Sequence, residues 1–176
     1  MNLANKLTLI RIILVPIFLV FIAYQDLPYG SVIATLIFII ASVTDQLDGY
    51  IARSRNQVTN FGKFMDPLAD KLLVCSAMIA LVGMNRLASW IAIIIIAREF
   101  IISGFRLIAS DNGVVIAASY WGKFKTNFQM FMIIMLIIDL GTGTAVLIEN
   151  ILVYISLVLT IISLLDYLLK NKNVLK

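Results

Sequence analysis

Six apolar stretches dominate this chain of 176 residues. Each is close to the roughly 20 residues that a helix needs to cross a bilayer, and the connections between them are short. Hydrophobic residues make up 61% of the chain and charged residues 14%, a balance far from that of a soluble domain. The sequence therefore predicts an all-α, polytopic membrane protein, a single domain over residues 1–176 with six transmembrane helices. The predicted spans are residues 7–24, 31–53, 67–84, 87–108, 122–140 and 145–169.

The basic residues are distributed unevenly over the connections. If the six helices alternate in direction, both termini and the second and fourth connections face the same side of the membrane. Of the 14 Lys and Arg residues, only Arg86 falls on the other side. By the positive-inside rule the shared side is cytoplasmic. This placement explains the net charge of +4 as a topology signal rather than as a nucleic-acid-binding surface. It also predicts a multi-pass protein of the cell membrane.

The composition excludes several kinds of chemistry. The chain has no histidine, so His-based acid–base catalysis and His-ligated zinc are excluded. Its one cysteine, Cys75, cannot form an intramolecular disulfide. Any catalytic proton transfer must therefore fall to a carboxylate, a lysine, a tyrosine or water.

A cleavable signal peptide is the alternative for the first apolar stretch, but no convincing cleavage site precedes Gln25, which favours a retained span.

Four aspartates converge on the second connection. Asp45 and Asp48 lie near the end of the second apolar stretch, and Asp66 and Asp70 lie at the start of the third. The spacings i, i+3 and i, i+4 place each pair on one face of its helix. A carboxylate in a membrane segment costs a few kcal/mol, so four of them need a counter-charge. Two helices can thus present two carboxylates each across a shared gap.

Cations are the natural counter-charge for this aspartate cluster. Two like charges ~4 Å apart repel by about 4 kcal/mol at an effective dielectric constant near 20. Oxygen ligands without His or Cys select Mg²⁺, Mn²⁺ or Ca²⁺. Two such ions ~3.5–4 Å apart clamp the attacking and the leaving oxygen of a phosphoryl displacement. The pattern predicts a metal centre suited to a diphosphate substrate.

The aspartates belong to a longer pattern. Asp45-Gln-Leu-Asp48-Gly49-Tyr-Ile-Ala52-Arg53, followed by Gly62, Asp66 and Asp70, resembles the signature D-x2-D-G-x2-A-R-x8-G-x3-D-x3-D of the CDP-alcohol phosphotransferases, and every specified position matches. The resemblance implies six transmembrane helices, with the motif across helices two and three near the cytoplasmic face. It also implies a reaction in which an acceptor hydroxyl attacks the lipid-linked phosphorus of CDP-diacylglycerol and CMP is released.

The resemblance also implies roles for individual residues. The four aspartates would hold one or two Mg²⁺ or Mn²⁺ ions, and Asp70 would act as the general base. Gly49, Ala52 and Gly62 would let the nucleotide approach, and tight helix packing is the alternative role for these small residues. Arg53 would face the phosphates of the nucleotide. The opening Asn5-Lys-Leu-Thr8-Leu-Ile-Arg11 resembles the family's opening, although Ala4 stands where many relatives have proline. It implies that Thr8 contacts CDP; an N-cap role is the alternative. The further CDP-lipid-binding candidates are Gly49, Ala52, Gly62 and Arg53.

The acceptor is indicated by a second resemblance. The segment Gly62-Lys-Phe-Met-Asp-Pro-Leu-Ala-Asp-Lys71 is similar to the branch of the family whose acceptor is glycerol 3-phosphate. A phosphate dianion needs cations, best supplied by Arg and Lys. Membrane anchoring is the alternative role for these cations, and two lysines that are two positions apart on one helix point to different sides. The acceptor-phosphate candidates are Arg98, Arg106, Lys123 and Lys125.

Other functions remain as alternatives at this stage. Serine or inositol phosphate could replace glycerol 3-phosphate as acceptor in the same chemistry. Acidic pairs between membrane helices also occur in cation transporters, although there the carboxylates spread through the depth of the bilayer. A scaffold protein with a stabilising ion would leave the complete motif unexplained. Membrane lipids are expected partners, kinship implies a homodimer, and no nucleic acid is expected.

Overall fold

The computed structural model describes the backbone of residues 3–24, 29–54, 60–111 and 119–171. Side chains are described over the same ranges, except for residues 3–5, 45–54, 60–64, 66, 67, 70 and 111. The described residues form six α-helices and no strand, which confirms the prediction of an all-α protein. The helices are α1 Leu3–Ala23, α2 Gly30–Ser54, α3 Asn60–Gly83, α4 Ser89–Asp111, α5 Tyr120–Ile138 and α6 Gly143–Lys170.

Most helices begin and end within a few residues of the predicted spans, and α3 is the exception. The polar composition of residues 54–66 predicted a connection, yet α3 already begins at Asn60. Polar residues are compatible with a helix, and a hydropathy pattern indicates only the apolar part of it. The connection between α2 and α3 is thereby shortened to residues 55–59.

The helices divide into two compact units. Unit 1 comprises residues 1–86 with the short segment Ile137–Asp139, and unit 2 comprises the rest of the chain. In unit 1, α1 packs against both α2 and α3, and α2 also contacts α3. Phe18 and Phe38 are fully buried, with ring centroids 5.9 Å apart. Small side chains let the helices of this unit approach closely, because they keep the backbones near each other. These residues are Ala34, Ala41, Ala69 and Ala77, all at most 1% exposed.

Unit 2 is organised around the contact between α4 and α6. Phe105 of α4 meets Tyr167 of α6 edge to face, with ring centroids 6.1 Å apart. Helix α6 begins at a side-chain cap, because the hydroxyl of Thr142 accepts a hydrogen bond from the backbone N–H of Ala145. The last helix therefore has a fixed start and a fixed aromatic contact near its end.

Helix α6 has the polarity pattern of a membrane helix. It buries polar side chains, including Glu149, Ser156 and Thr160, and exposes apolar ones such as Ile151 and Val158. A helix of a water-soluble protein has the opposite arrangement. Among the described residues, two segments are long and apolar enough to cross a membrane, Lys6–Ala23 and Gly143–Lys170. Together with the composition, these features indicate a membrane protein, while the six-span topology stays a prediction.

Six hydroxyl groups within the helices are satisfied locally, whereas the buried hydroxyl of Ser156 has no partner among the described residues. Thr and Ser side chains donate to the backbone carbonyl one turn earlier, a device that pairs a hydroxyl without any other element. The donor–acceptor distances run from 2.6 Å for Thr44 to 3.0 Å for Thr126. The same contact is made by Thr35, Ser42, Ser103 and Thr160.

We expect Phe18→Ala to destabilise unit 1. Replacing a buried Phe by Ala costs roughly 3–5 kcal/mol, the sum of the lost transfer free energy and of the cavity that is left in a packed interior. Thermal unfolding in detergent should show a lower midpoint for this variant. The matched control is Ile17→Ala, since Ile17 is 41% exposed and leaves no cavity. Equal midpoints for the two variants would contradict the assignment of Phe18 to the core.

Candidate active site

The acidic motif falls on two consecutive helices. Residues 45–53 lie in the last third of α2, and residues 62–70 lie in the first half of α3. This confirms that both parts of the motif are helical, as is required for each aspartate pair to share one face of its helix. The side chains of the motif lie outside the described residues: Asp45, Asp48, Gly49, Ala52, Arg53, Gly62, Asp66 and Asp70.

The chain connection limits how far apart the two parts of the motif can be. Helix α2 ends at Ser54 and α3 begins at Asn60. Six Cα–Cα steps separate these residues, so their Cα atoms are at most roughly 20 Å apart. Helices α2 and α3 also contact each other, and both contact α1. The two aspartate pairs therefore lie on helices that meet at one end of unit 1.

Helix α1 contributes buried polar residues to unit 1. Thr8 and Arg11 are both 0% exposed, and the spacing i, i+3 places them on one face. Thr8 is the sixth residue of α1, which begins at Leu3, so the alternative that it caps this helix is wrong. Its predicted contact with CDP stays a prediction.

A cavity of about 410 Å³ lies at the other end of unit 1. Its lining includes Phe21 and Ile22 near the end of α1, Ser31 at the start of α2, and the ion pair between Arg86 and Asp139. The start of α2 is more than ten residues away from Asp45, so this cavity is separate from the aspartate motif.

Arg98 is a buried cation of unit 2. Its side chain is only 9% exposed, and its Nε donates a hydrogen bond to the Ser163 hydroxyl at 3.0 Å. The Ser163 hydroxyl in turn donates to the carbonyl of Thr160. Gly122 of α5 leaves room for the guanidinium, because a Cβ there would lie 3.3 Å from Nη2. Groups from α5 and α6 thus fix the orientation of an arginine on α4.

Glu99 links Arg98 to Lys125. The Glu99 carboxylate lies 3.5 Å from Arg98 Nη1, and it also accepts a hydrogen bond from Lys125 Nζ. The Lys125 side chain is 1% exposed. The ion pair compensates a charge that burial would otherwise penalise. Two of the four predicted acceptor-phosphate residues are therefore brought together by one carboxylate.

The two lysines of α5 point to different sides of the helix, as their spacing implied. Helix α5 is continuous from Tyr120, and Lys125 is buried whereas Lys123 is exposed. The structure therefore confirms that only one of them points into the protein. Lys123 retains the alternative role of a membrane-surface anchor.

Arg106 belongs to the same unit but makes a different contact. Its guanidinium carbon lies 5.8 Å from the centroid of the Tyr167 ring, a cation–π arrangement. Arg106 and Arg98 are within electrostatic range of each other. Arg98 and Lys125 thus contact Glu99, whereas the exposed Arg106 contacts Tyr167.

The sequence analysis did not single out Ser163 or Tyr167. A signal was available, because polar residues recur at helical spacing on one face of an otherwise apolar helix. These residues are Ser156, Thr160, Ser163 and Tyr167, all at most 2% exposed. Sequence alone could not have paired Ser163 with Arg98, which is 65 residues away.

The donor chemistry of the motif fits a divalent cation. Carboxylate oxygens without His or Cys suit Mg²⁺ or Mn²⁺. Among the residues whose side chains are described, no group of three or more His, Cys, Asp or Glu residues could hold a metal ion. The aspartates of the motif thus remain the candidate ligands.

Together, an all-helical membrane fold and an acidic motif across α2 and α3 define a class of lipid-modifying enzymes. A sequence profile of CDP-alcohol phosphatidyltransferases matches residues 1–162. The chain belongs to this family, which confirms the resemblance carried by the motif.

Relatives with full-length similarity agree with this assignment. A Bacillus subtilis protein named CDP-diacylglycerol--glycerol-3-phosphate 3-phosphatidyltransferase is 39% identical over 99% of this chain and 97% of its own length. Proteins of the same name from Haemophilus influenzae and Rickettsia bellii are 42% and 37% identical. The former alignment covers 95% of this chain and 91% of the relative, and the latter covers 94% and 93%.

Lys125→Ala is expected to destabilise unit 2, whereas Lys123→Ala is not. Without Lys125 the half-buried Glu99 carboxylate loses a charged hydrogen-bond donor, which costs about 1–3 kcal/mol. Exposed Lys123 should contribute within about 0.5 kcal/mol. Thermal unfolding in detergent measures both variants.

The double variant Glu99→Gln with Lys125→Met provides the control, because it removes both charges of the pair together. It should recover much of the lost stability. Similar midpoints for Lys123→Ala and Lys125→Ala would argue against the buried pair.

Proposed function

We propose that this protein transfers the phosphatidyl group of CDP-diacylglycerol to glycerol 3-phosphate, forming phosphatidylglycerophosphate and releasing CMP. One observation carries the proposal: the complete eight-position signature falls on the adjoining ends of α2 and α3 in a chain of this family. The names of relatives 37–42% identical over nearly the whole chain support the choice of substrates.

In the proposed reaction a hydroxyl oxygen of glycerol 3-phosphate attacks the phosphorus that carries the diacylglycerol. A new P–O bond forms, the P–O bond of the diphosphate breaks, and CMP leaves with the bonding electrons. Asp70 takes the proton of the attacking hydroxyl. A carboxylate is suited to this task in a chain without histidine.

The metal ligands of the proposal are Asp45, Asp48, Asp66 and Asp70. Mg²⁺ or Mn²⁺ held there, as two ions, would neutralise charge on the diphosphate and stabilise the leaving group. Arg53 binds phosphate oxygens of the nucleotide. Gly49, Ala52 and Gly62 lack bulky side chains and leave space for it, and Thr8 contributes a hydroxyl to CDP.

The cations of unit 2 bind the phosphate of the acceptor. Arg98 and Lys125 support this role best, because both are buried and share Glu99. A guanidinium in a fixed orientation can offer a phosphate two parallel hydrogen bonds. Arg106 and Lys123 are both exposed. Arg106 contributes a positive charge within electrostatic range of Arg98, which leaves Lys123 as the weakest candidate.

The proposal includes the location and assembly of the enzyme. It lies in the cell membrane as six spans, with both termini and the aspartate motif on the cytoplasmic side, where its soluble substrate is available. The distribution of Lys and Arg supports this orientation. Kinship supports a homodimer.

The reaction is tested with purified protein, CDP-diacylglycerol, glycerol 3-phosphate and Mg²⁺. We expect stoichiometric release of CMP, its loss on addition of EDTA, and a decrease in kcat of about 10²–10⁴-fold for Asp70→Asn, because a general base contributes that much. Asp139→Asn is the control, since this carboxylate pairs with Arg86 and lies outside the motif.

Other outcomes discriminate the alternatives. Faster turnover with serine or inositol phosphate would replace the acceptor but keep the chemistry. Flux of divalent cations into liposomes without CMP release would favour transport. Unchanged kcat in Asp70→Asn would remove this residue from catalysis.

The topology is tested by labelling single cysteines in a Cys75→Ser background. Asn85→Cys, in the turn after α3, should react with a membrane-impermeant maleimide in intact cells. Asn171→Cys, directly after α6, should react only after the membrane is permeabilised. Labelling of both sites from outside would contradict an even number of spans.

A further inference from the structure

The hydroxyl of Tyr167 is a buried polar group without a hydrogen-bond partner among the described residues, as are Ser156 Oγ and Asp166 Oδ2. Tyr167 is 2% exposed. Buried polar atoms are nearly always hydrogen-bonded, because losing contact with water costs free energy. A phenylalanine would fill the same space without this cost. The hydroxyl therefore calls for an explanation other than packing.

The position of the Tyr167 ring is fixed on several sides. Phe105 meets it edge to face, with an interplanar angle of 84°. Arg106 lies over its face at 5.8 Å from the centroid. Ile102, Leu164 and Leu168 complete the surrounding cluster. The hydroxyl is thus held in place rather than free to sample many positions.

The direction of the side chain brings the hydroxyl toward Arg98. Long side chains on an α-helix lean back toward its N-terminus, which for Tyr167 is the turn that carries Ser163. Ser163 is the residue that accepts the hydrogen bond from Arg98 Nε. Arg98 is within electrostatic range of both Tyr167 and Arg106. One hydroxyl and two guanidinium groups therefore converge on one region of unit 2.

The charges of this region favour an anion. Arg98, Arg106 and Lys125 are cationic, and Glu99 is the carboxylate that pairs with Arg98 and Lys125. Asp166, the neighbour of Tyr167 in sequence, pairs with Lys170 through Oδ1 at 2.6 Å, and its Oδ2 has no hydrogen-bond partner among the described residues. A phosphate oxygen would both balance the surplus positive charge and accept a hydrogen bond from the tyrosine.

We propose that Tyr167 binds the phosphate of the acceptor by donating a hydrogen bond from its hydroxyl, beside Arg98 and Arg106. This inference rests on the proposed function, since it assigns a further residue to the acceptor site. It gives the buried hydroxyl its missing partner and explains why the last helix presents a tyrosine at this position. Ser163 acts through Arg98 and is a positioning residue.

The test is steady-state kinetics of Tyr167→Phe, which removes one oxygen atom. The KM for glycerol 3-phosphate should rise about tenfold or more, the effect of losing a hydrogen bond to a charged group. The KM for CDP-diacylglycerol should stay unchanged, and kcat should change less than about threefold. The matched control is Tyr154→Phe on the same helix, where the ring is 58% exposed and no change is expected.

Thermal unfolding separates binding from folding. Without acceptor, Tyr167→Phe should unfold at the same temperature as the wild type or higher, because an unpartnered buried hydroxyl has been removed. Added glycerol 3-phosphate should raise the midpoint of the wild type more than that of the variant. A clearly lower midpoint without acceptor would show that the hydroxyl serves the fold, and would overturn the proposal.

The kinetic results also decide against the proposal in two cases. An unchanged KM for glycerol 3-phosphate would exclude the contact, and a raised KM for CDP-diacylglycerol alone would assign the hydroxyl to the nucleotide lipid. Neither result affects the proposed function, which fails only if the wild type releases no CMP with glycerol 3-phosphate. The two failures are therefore distinguishable.

Discussion

Ionised side chains inside an apolar helical protein cost free energy unless opposite charges or hydrogen bonds compensate them. In unit 2 the Glu99 carboxylate compensates the charges of two buried cations, because it pairs with both Arg98 and Lys125. Ser163 completes the arrangement by accepting from Arg98 Nε. The position of α5 beside α4 and the orientation of α6 are both tied to these contacts. The same requirement is the physical reason for proposing divalent cations at the four aspartates of unit 1.

Many of the remaining polar groups of the helices meet this requirement locally. Ser and Thr hydroxyls donate to carbonyls one turn earlier, as Thr35 and Thr160 do. Such hydroxyls need no partner on another helix. The hydroxyls of Ser156 and Tyr167 are exceptions, since neither has a hydrogen-bond partner among the described residues. Of the two residues, Tyr167 is the one whose ring contacts Arg106 and lies within electrostatic range of Arg98, which suits its hydroxyl to an anionic ligand. Polar groups that the fold does not satisfy are therefore informative about function.

The two units divide the chemistry that the proposed reaction requires. Unit 1 carries the acidic signature on α2 and α3, suited to metal ions and a diphosphate. Unit 2 carries buried cations, suited to the phosphate of an acceptor. The family match covers residues 1–162 and so includes residues of both units. In the proposed reaction Arg98, Arg106 and Lys125 bind the phosphate of the acceptor, a role that a neutral acceptor would not require of them.

The sequence by itself determined the all-α fold, the approximate bounds of its six helices and the family, because hydropathy and the motif spacing are local properties of the chain. It also determined that Lys123 and Lys125 cannot both point inward. Only the tertiary structure decided that Lys125 is the buried one, that α3 begins at Asn60, and that Ser163 and Tyr167 meet the arginines of α4. Contacts between helices depend on packing across 26 or 65 residues of chain, and local periodicity carries no information on them.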